Sequence, residues 1–148
     1  MKDKPIQEVQ DEVIAEFSVL KDDKESTLFY IMELGKKLKP IVEEFKTDRN
    51  LIKGCQSKVW LVAELKGESL YFSADSNTEI TKGLISLLIR ILSGRKIEEI
   101  LQAELYFLDR IGMNQIIGSQ RSNGLSSMIK QIKLYALAYK TKLNQITN

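Results

Sequence analysis

Val59-Trp60-Leu61-Val62-Ala63-Glu64-Leu65 and Leu70-Tyr71-Phe72-Ser73-Ala74-Asp75, joined by Lys66-Gly67-Glu68-Ser69, decide the fold. In the first run Val59, Leu61 and Ala63 alternate with Trp60 and Val62, which predicts a strand covered on both faces or nearly so. In the second, Leu70, Phe72 and Ala74 alternate with Tyr71 and Ser73. Lys66-Gly67-Glu68 is a short turn, and strand, short turn, strand is an antiparallel hairpin. A short third strand is expected from residues 51–53.

Helical patterns flank the hairpin. Pro5 suits a first turn, and Ile6, Val9, Val13 and Phe17 mark one face of a helix over residues 5–19. The polar run Lys21-Asp22-Asp23-Lys24-Glu25-Ser26 breaks it. A second helix over residues 25–38 carries Leu28, Ile31, Met32 and Leu38, and Pro40 stops it. Residues 41–50 read as a helical turn and a connector. After the hairpin, Ser76-Asn77-Thr78-Glu79 has the form of a capping box. Ile80, Leu84, Leu87, Leu88 and Ile91 then mark the buried face of a helix that Gly94 ends. Residues 96–102 form a short helix, and residues 103–118 show no period beyond a helical turn at 107–111. Ser119 or Ser122 starts the last helix, with Leu125, Met128, Ile132, Tyr135 and Tyr139 at helical spacing. The polar tail, residues 141–148, is expected to fray. Segregated strands and helices predict an α+β fold, a small antiparallel sheet of two to three strands packed against several helices, with residues 1–148 as one domain.

Composition narrows the chemistry. The chain has 148 residues, 43% of them hydrophobic, and a domain of this size buries roughly 68–70% of its unfolded surface. Its 22 basic and 20 acidic residues leave a net charge of +2. Only short pairs such as Lys36-Lys37 and Arg95-Lys96 are adjacent, so no clustered basic face for nucleic acid is expected. The longest apolar stretch, residues 84–92, is broken by Ser86 and Arg90 and is too short for a bilayer span. The start, Met1-Lys2-Asp3-Lys4-Pro5, does not suit a signal peptide. One cysteine cannot form an internal disulfide, and the cytoplasm is the expected compartment.

There is no histidine. A zinc site usually draws on four Cys, His or carboxylate ligands, and a cysteine-held iron–sulfur cluster needs several thiolates. Cys–His and Ser–His–Asp nucleophiles are impossible. Gly35, Gly54, Gly67 and Gly83 are isolated, so no phosphate-cradling loop is present. What remains is Cys55, in Asn50-Leu51-Ile52-Lys53-Gly54-Cys55-Gln56-Ser57-Lys58. Gly54 frees the backbone just before the thiol and a strand follows, which sets the sulfur at the rim of a rigid element. Two readings stand at this point. A free cysteine is often a small buried hydrophobe. Polar neighbours such as Gln56-Ser57 instead suit a loop tip that delivers its sulfur to a partner. Delivery requires the thiolate, and the directions of Lys53 and Lys58 are not given by their spacing.

The run Gly54-Cys55-Gln56-Ser57-x-Val59-Trp60, preceded by Asn50-x-Ile52, closely resembles the SufE/CsdE family of sulfur-acceptor proteins, the cysteine desulfuration factors of iron–sulfur cluster assembly. Three further patches resemble it in order: Tyr30-Ile31-x-Glu33-Leu34-Gly35, then Asp75-Ser76 with Lys82-Gly83-Leu84-Ile85, then Arg121-Ser122-x-Gly124-Leu125-x-x-Met128-Ile129. The resemblance implies a fold like that of the cluster scaffold proteins. It implies that Cys55 takes sulfane sulfur from a pyridoxal-phosphate cysteine desulfurase, its thiolate attacking the terminal sulfur of the partner's persulfide. Draining the desulfurase speeds its turnover, and the sulfur passes on to a downstream iron–sulfur scaffold. The pyridoxal phosphate belongs to the partner, so no cofactor or metal is expected here.

Arg121 matches an arginine kept near the family's cysteine, where a guanidinium would stabilise a thiolate or persulfide anion. Asp75 matches an acidic residue that tunes the cysteine loop or the docking face, or that caps a helix. Gly54 and Gln56 complete the motif, and Trp60 is expected in the core or as a wall of the cysteine's pocket. Leu51, Ile52 and Trp60 are expected to shelter the thiol in an apolar hollow. Ser119 stands where the family often has proline. The alternatives are a single-cysteine redox sensor and a helical adaptor with an inert cysteine.

Overall fold

In the computed structural model, which describes residues 2–20 and 23–147, the two alternating runs pair as β1 (Val59–Lys66) and β2 (Ser69–Ser76). The strands are antiparallel, with Leu61 opposite Ala74 and Ala63 opposite Phe72. Gly67, at φ 62°, makes the turn between them. This register buries Val59, Leu61, Leu70, Phe72 and Ala74. Trp60, Val62 and Tyr71 are half-buried and Ser73 and Glu64 are exposed, so the expected cover on both faces is corrected. Ser73 and Glu64 alternate onto the second face, where polar side chains give a helix little to bury.

The third strand is also corrected. It is β3 (Arg95–Lys96), paired with β2 in the order β1-β2-β3. Residues 51–53 contribute only a single bridge, Leu51 to Trp60, because Gly54 at φ 97° turns the chain away. Gly94, at φ 79°, returns the chain to the sheet and donates its N–H to Leu70 O at 2.8 Å.

Helix α1 (Ile6–Ser18) buries Val9, Val13 and Phe17. Helix α2 (Lys24–Lys36) is capped by Asp23, whose carboxylate accepts from Ser26 N at 3.1 Å. Lys21 and Asp22 of the predicted break lie outside the described residues. Helix α3 (Glu79–Leu92) buries Leu84, Leu87, Leu88 and Ile91, as their spacing predicts. Its N-terminus differs from the capping box. Ser76 stays in β2 and Thr78 takes the cap position, its side chain making no bond to the backbone N–H groups of the first turn, which leaves Glu79 in the first turn rather than three residues in. The ladder with β1 runs to the Val59–Ser76 pair and holds Ser76 extended.

Helices α2 and α3 touch backbone to backbone. A Cβ on Gly83 would lie 2.0 Å from Ile31 O, and one on Gly35 would lie 2.3 Å from Glu79 O. Both contacts require glycine for lack of space.

Short helices α4 (Ile97–Gln102) and α5 (Phe107–Ile111) follow. The segment between them is held by Gln10, fully buried on α1. Its amide donates to Glu104 O at 3.0 Å and accepts from Phe107 N at 3.2 Å. Helix α6 (Met113–Thr147) is interrupted at Gly118 (φ 83°, ψ 166°), so its long arm starts at Ser119, one of the two predicted starts. The helix runs to Thr147. Lys140, Lys142, Leu143 and Gln145 are good helix formers with no Gly or Pro among them.

The long arm lies against the free edge of β1. Tyr135 and Tyr139 donate their phenols to Leu61 O and Ala63 O at 3.3 and 3.4 Å, covering strand carbonyls that β2 does not use. No helix among the described residues is long and apolar enough to cross a membrane.

Candidate functional site

The loop carrying Cys55 is pinned at its base. Ile52 N donates to Val59 O at 2.8 Å, and Asn77 and Lys58 exchange two bonds, Lys58 N to Asn77 Oδ1 at 3.0 Å and Asn77 N to Lys58 O at 3.2 Å. Between these anchors the chain needs the left-handed turn at Gly54, and a Cβ there would also meet Ser127 Oγ at 2.4 Å. The loop rests on the first turns of the long arm of α6. Cys55 Sγ donates to Gly124 O at 3.4 Å. Gly124 and Ser127, three residues apart, present one helix face to the loop.

Cys55 is half-buried. It opens into a hollow of about 340 Å³ lined by Met32 of α2, Ile80 and Leu84 of α3, Met128 of α6 and a polar rim that includes Gln56, Glu79 and Arg121. Leu51, Ile52 and Trp60 are not in that lining, so the expected walls are corrected. Ile52 is buried in the core, and Trp60 points to the other face of β1. Lys46 Nζ sits 5.5 Å from the centre of the Trp60 ring. A larger hollow of about 560 Å³, between α1, α2 and α5, has Phe17, Lys24 and Arg110 in its wall but no cysteine.

Burial pushes the Cys55 thiol above its ordinary value of 9.0. Lys53 and Lys58 are exposed, and neither acidifies the sulfur. Arg121 reaches the rim of the hollow but is itself exposed, and its Nη1 donates to Ile117 O at 3.3 Å across the Gly118 break. The thiol at rest is therefore protonated at neutral pH. Alkylation of Cys55 should follow a pH profile displaced upward from that of a free cysteine. Gly54→Ala should lift the loop from Ser127 and raise the alkylation rate by about tenfold, since a non-glycine residue in this conformation costs about 1–3 kcal/mol of the loop's docking. Equal iodoacetamide rates for the two proteins would refute a loop held by this turn.

Asp75 lies at the end of β2, away from the thiol. It is 3% exposed. Its carboxylate accepts from Ser76 N at 2.8 Å and pairs with Lys46 at 3.1 Å and Lys82 at 3.6 Å. Burial works to raise its pKa, but the Lys46 and Ser76 hydrogen bonds and the two lysine charges outweigh it and hold the carboxyl below its ordinary 3.8. The aspartate ties the connector at Lys46 to the first turn of α3 at Lys82. It does not cap the helix.

The folded state thus binds fewer protons at Asp75 than the unfolded chain. Its stabilisation is present above the ordinary value and is lost as the pH falls through the lower folded value. Asp75→Asn should cost about 2 kcal/mol at pH 7. The variant should also lose less stability than wild type between pH 6 and pH 3, measured by urea unfolding. Parallel losses would remove Asp75 from this role.

Gly124, Ser127, Met32, Met128 and Glu79 belong to the site but were not among the predicted site residues. Gly124 and Met128 fall in the patch that resembles the family's last helix, so a signal was present. Met32 and Glu79 carried none, since their helical patterns place them only on a face.

A family profile described as SufE, Fe–S metabolism associated domain, matches residues 11–136. An uncharacterised SufE-like protein of Rhizobium meliloti is 38% identical over 128 residues, spanning 83% of this chain and 91% of the relative. The chloroplastic/mitochondrial SufE-like protein 1 of Arabidopsis thaliana is 36% identical over 145 residues, spanning 93% of this chain and 38% of the relative. The solution structure of a hypothetical protein from Thermus thermophilus superposes with a TM-score of 0.73, covering 90% of this chain and 96% of that one at 17% identity, which shows the shared α+β fold.

Proposed function

The chain belongs to the SufE family, whose role lies in Fe–S metabolism, and from that premise we propose that it is a sulfur carrier which accepts sulfane sulfur on Cys55 from a pyridoxal-phosphate cysteine desulfurase. The observation that carries the reading is the placement of the sole thiol. It sits on a pinned loop, half-buried against α6, and opens into a hollow deep enough to receive a sulfur atom.

The partner's persulfide presents its terminal sulfur to Cys55. The Cys55 thiolate forms a new S–S bond to it, and the partner's thiolate leaves. Removing the product in this way stimulates the desulfurase. Cys55 then carries the persulfide to an iron–sulfur scaffold. A persulfide exposed to small thiols would be lost to them, and the hollow limits that access. Arg121, which shares the rim of the hollow, pairs with the persulfide anion once it forms. Gln56 sits beside it as a polar lip, while Gly54 shapes the loop. Trp60 and Asp75, on the far side of the hairpin, hold Lys46 and support the fold. The pyridoxal phosphate stays with the desulfurase, and the exchange takes place in the cytoplasm.

A peroxide sensor would need an acidified, exposed thiol, and burial moves Cys55 the other way. Intact-mass analysis after incubation with desulfurase and cysteine tests the carrier. One added sulfur on Cys55 is the expected result. A protein that leaves with no added sulfur, while the desulfurase is loaded, would refute it.

A further inference from the structure

We propose that Glu79 is the proton acceptor for Cys55, taking the thiol proton through the polar side of the hollow when the sulfur attacks a persulfide. This rests on the sulfur-carrier reading and assigns a second residue to its chemistry. Among the described residues, three ionisable side chains line the hollow: Cys55, Arg121 and Glu79. A protonated thiol must lose its proton to become a nucleophile, and the chain has no histidine to take it. Arginine stays charged at working pH and cannot accept. Glu79 is left as the carboxylate of this site.

Glu79 shares the lining of the hollow with Cys55. Glu79 Oε2 is buried without a hydrogen-bond partner among the described residues, and an unsatisfied buried acceptor is costly enough to call for an explanation. The residue sits in the first turn of α3, next to Thr78. Thr78 Oγ1 bonds Ser57 Oγ at 3.1 Å and Thr81 Oγ1 at 2.7 Å, and Ser57 is two residues from the thiol. These hydroxyls run from the cysteine loop to the helix start along one wall of the hollow. The hollow, at about 340 Å³, has room for water among these groups.

Neighbouring charges do not compete for the role. Lys82 is bound to Asp75, Glu33 and Lys36 on α2 pair with each other in solvent, and Lys53 and Lys58 are exposed.

The step balances without a redox partner. The Cys55 S–H proton passes to the Glu79 carboxylate. The electron pair left on Sγ forms the new S–S bond to the terminal sulfur of the donor R–S–SH, and the donor's S–S pair departs on R–S⁻. The Glu79 carboxylic acid then returns the proton to that thiolate.

The test is single-turnover transfer from glutathione persulfide to Cys55, quenched and read by mass, in parallel with transfer from a loaded desulfurase. Glu79→Ala should slow transfer at pH 7 by about 100-fold. The loss should shrink as the pH rises through the thiol's own titration, and added formate or acetate should restore the rate. Glu79→Gln, which keeps the side-chain volume, should be equally slow at pH 7. A wild-type rate in both variants overturns the proposal, as does a loss that is constant with pH and indifferent to formate. Wild-type protein that takes no sulfur from the desulfurase would instead refute the carrier reading itself, so the two failures are separable.

Discussion

Cys55→Ser is expected to reduce sulfur acceptance from a loaded desulfurase to background, below about 1% of the wild-type rate, because a hydroxyl has neither the thiolate's nucleophilicity nor a stable S–S product. The fold should survive the change. Serine can donate to Gly124 O as the thiol does at 3.4 Å, and the site is half-buried rather than sealed. Stability should therefore move by about 0.5 kcal/mol or less. Docking to the desulfurase should persist, which separates loss of chemistry from loss of contact. The measurement is desulfurase turnover, followed as alanine and sulfide, with wild type, Cys55→Ser and no carrier. Stimulation by the serine variant equal to wild type would leave Cys55 without the proposed role and would favour the adaptor reading.

Gly83→Ala is expected to be the most destabilising single methyl in the chain. Its Cβ would lie 2.0 Å from Ile31 O and 2.6 Å from Ile31 Cγ2. Both Ile31 and the carbonyl are fixed, one in the core at 0% exposure and the other in the α2 ladder. Alanine gains about 1 kcal/mol in helix propensity over glycine. Overpacking of this severity costs more, because two helices must separate, and a net loss of about 3 kcal/mol follows. For a chain of this length that corresponds to a fall in Tm of roughly 6–12 °C. The damage should extend to the site, since Met32 on α2 and Leu84 on α3 form facing walls of the Cys55 hollow. Thermal unfolding and Cys55 alkylation on the same variant test both parts. An unchanged Tm would mean that the helix contact is looser than the backbone distances require.

The hairpin, the face of α3 and the importance of the cysteine loop were legible in the chain, each for a local reason. A period of two in residues 59–65 and 70–75, a turn at Gly67 and the 3.6-residue spacing of Leu84, Leu88 and Ile91 are backbone geometry written as side-chain type. The solitary thiol after Gly54 needed no fold to stand out. Resemblance placed Arg121 near it, and the structure brings that side chain to the same hollow. It sets Trp60 and Asp75 on the opposite side of the hairpin, where they hold Lys46.

Other features depended on distant partners. Ser76 and Glu79 match a capping box, yet the ladder to Val59 holds Ser76 extended and shifts the helix start. Arg95-Lys96 looks like a surface charge pair and becomes a strand only because β2 offers an open edge. Residues 103–107 have no period of their own and take their path from Gln10, nearly a hundred residues earlier.

Local patterning, then, was sufficient for the hairpin, the main helices, the fold class and the candidate nucleophile, since these follow from hydrophobic period and from which functional groups exist at all. The walls of the hollow, the upward shift of the thiol and the orphaned carboxylate of Glu79 came only from packing. Burial and hydrogen-bond partnership are properties of what folds against a residue, and Met32, Glu79, Gly124 and Cys55 meet there from four separate parts of the chain.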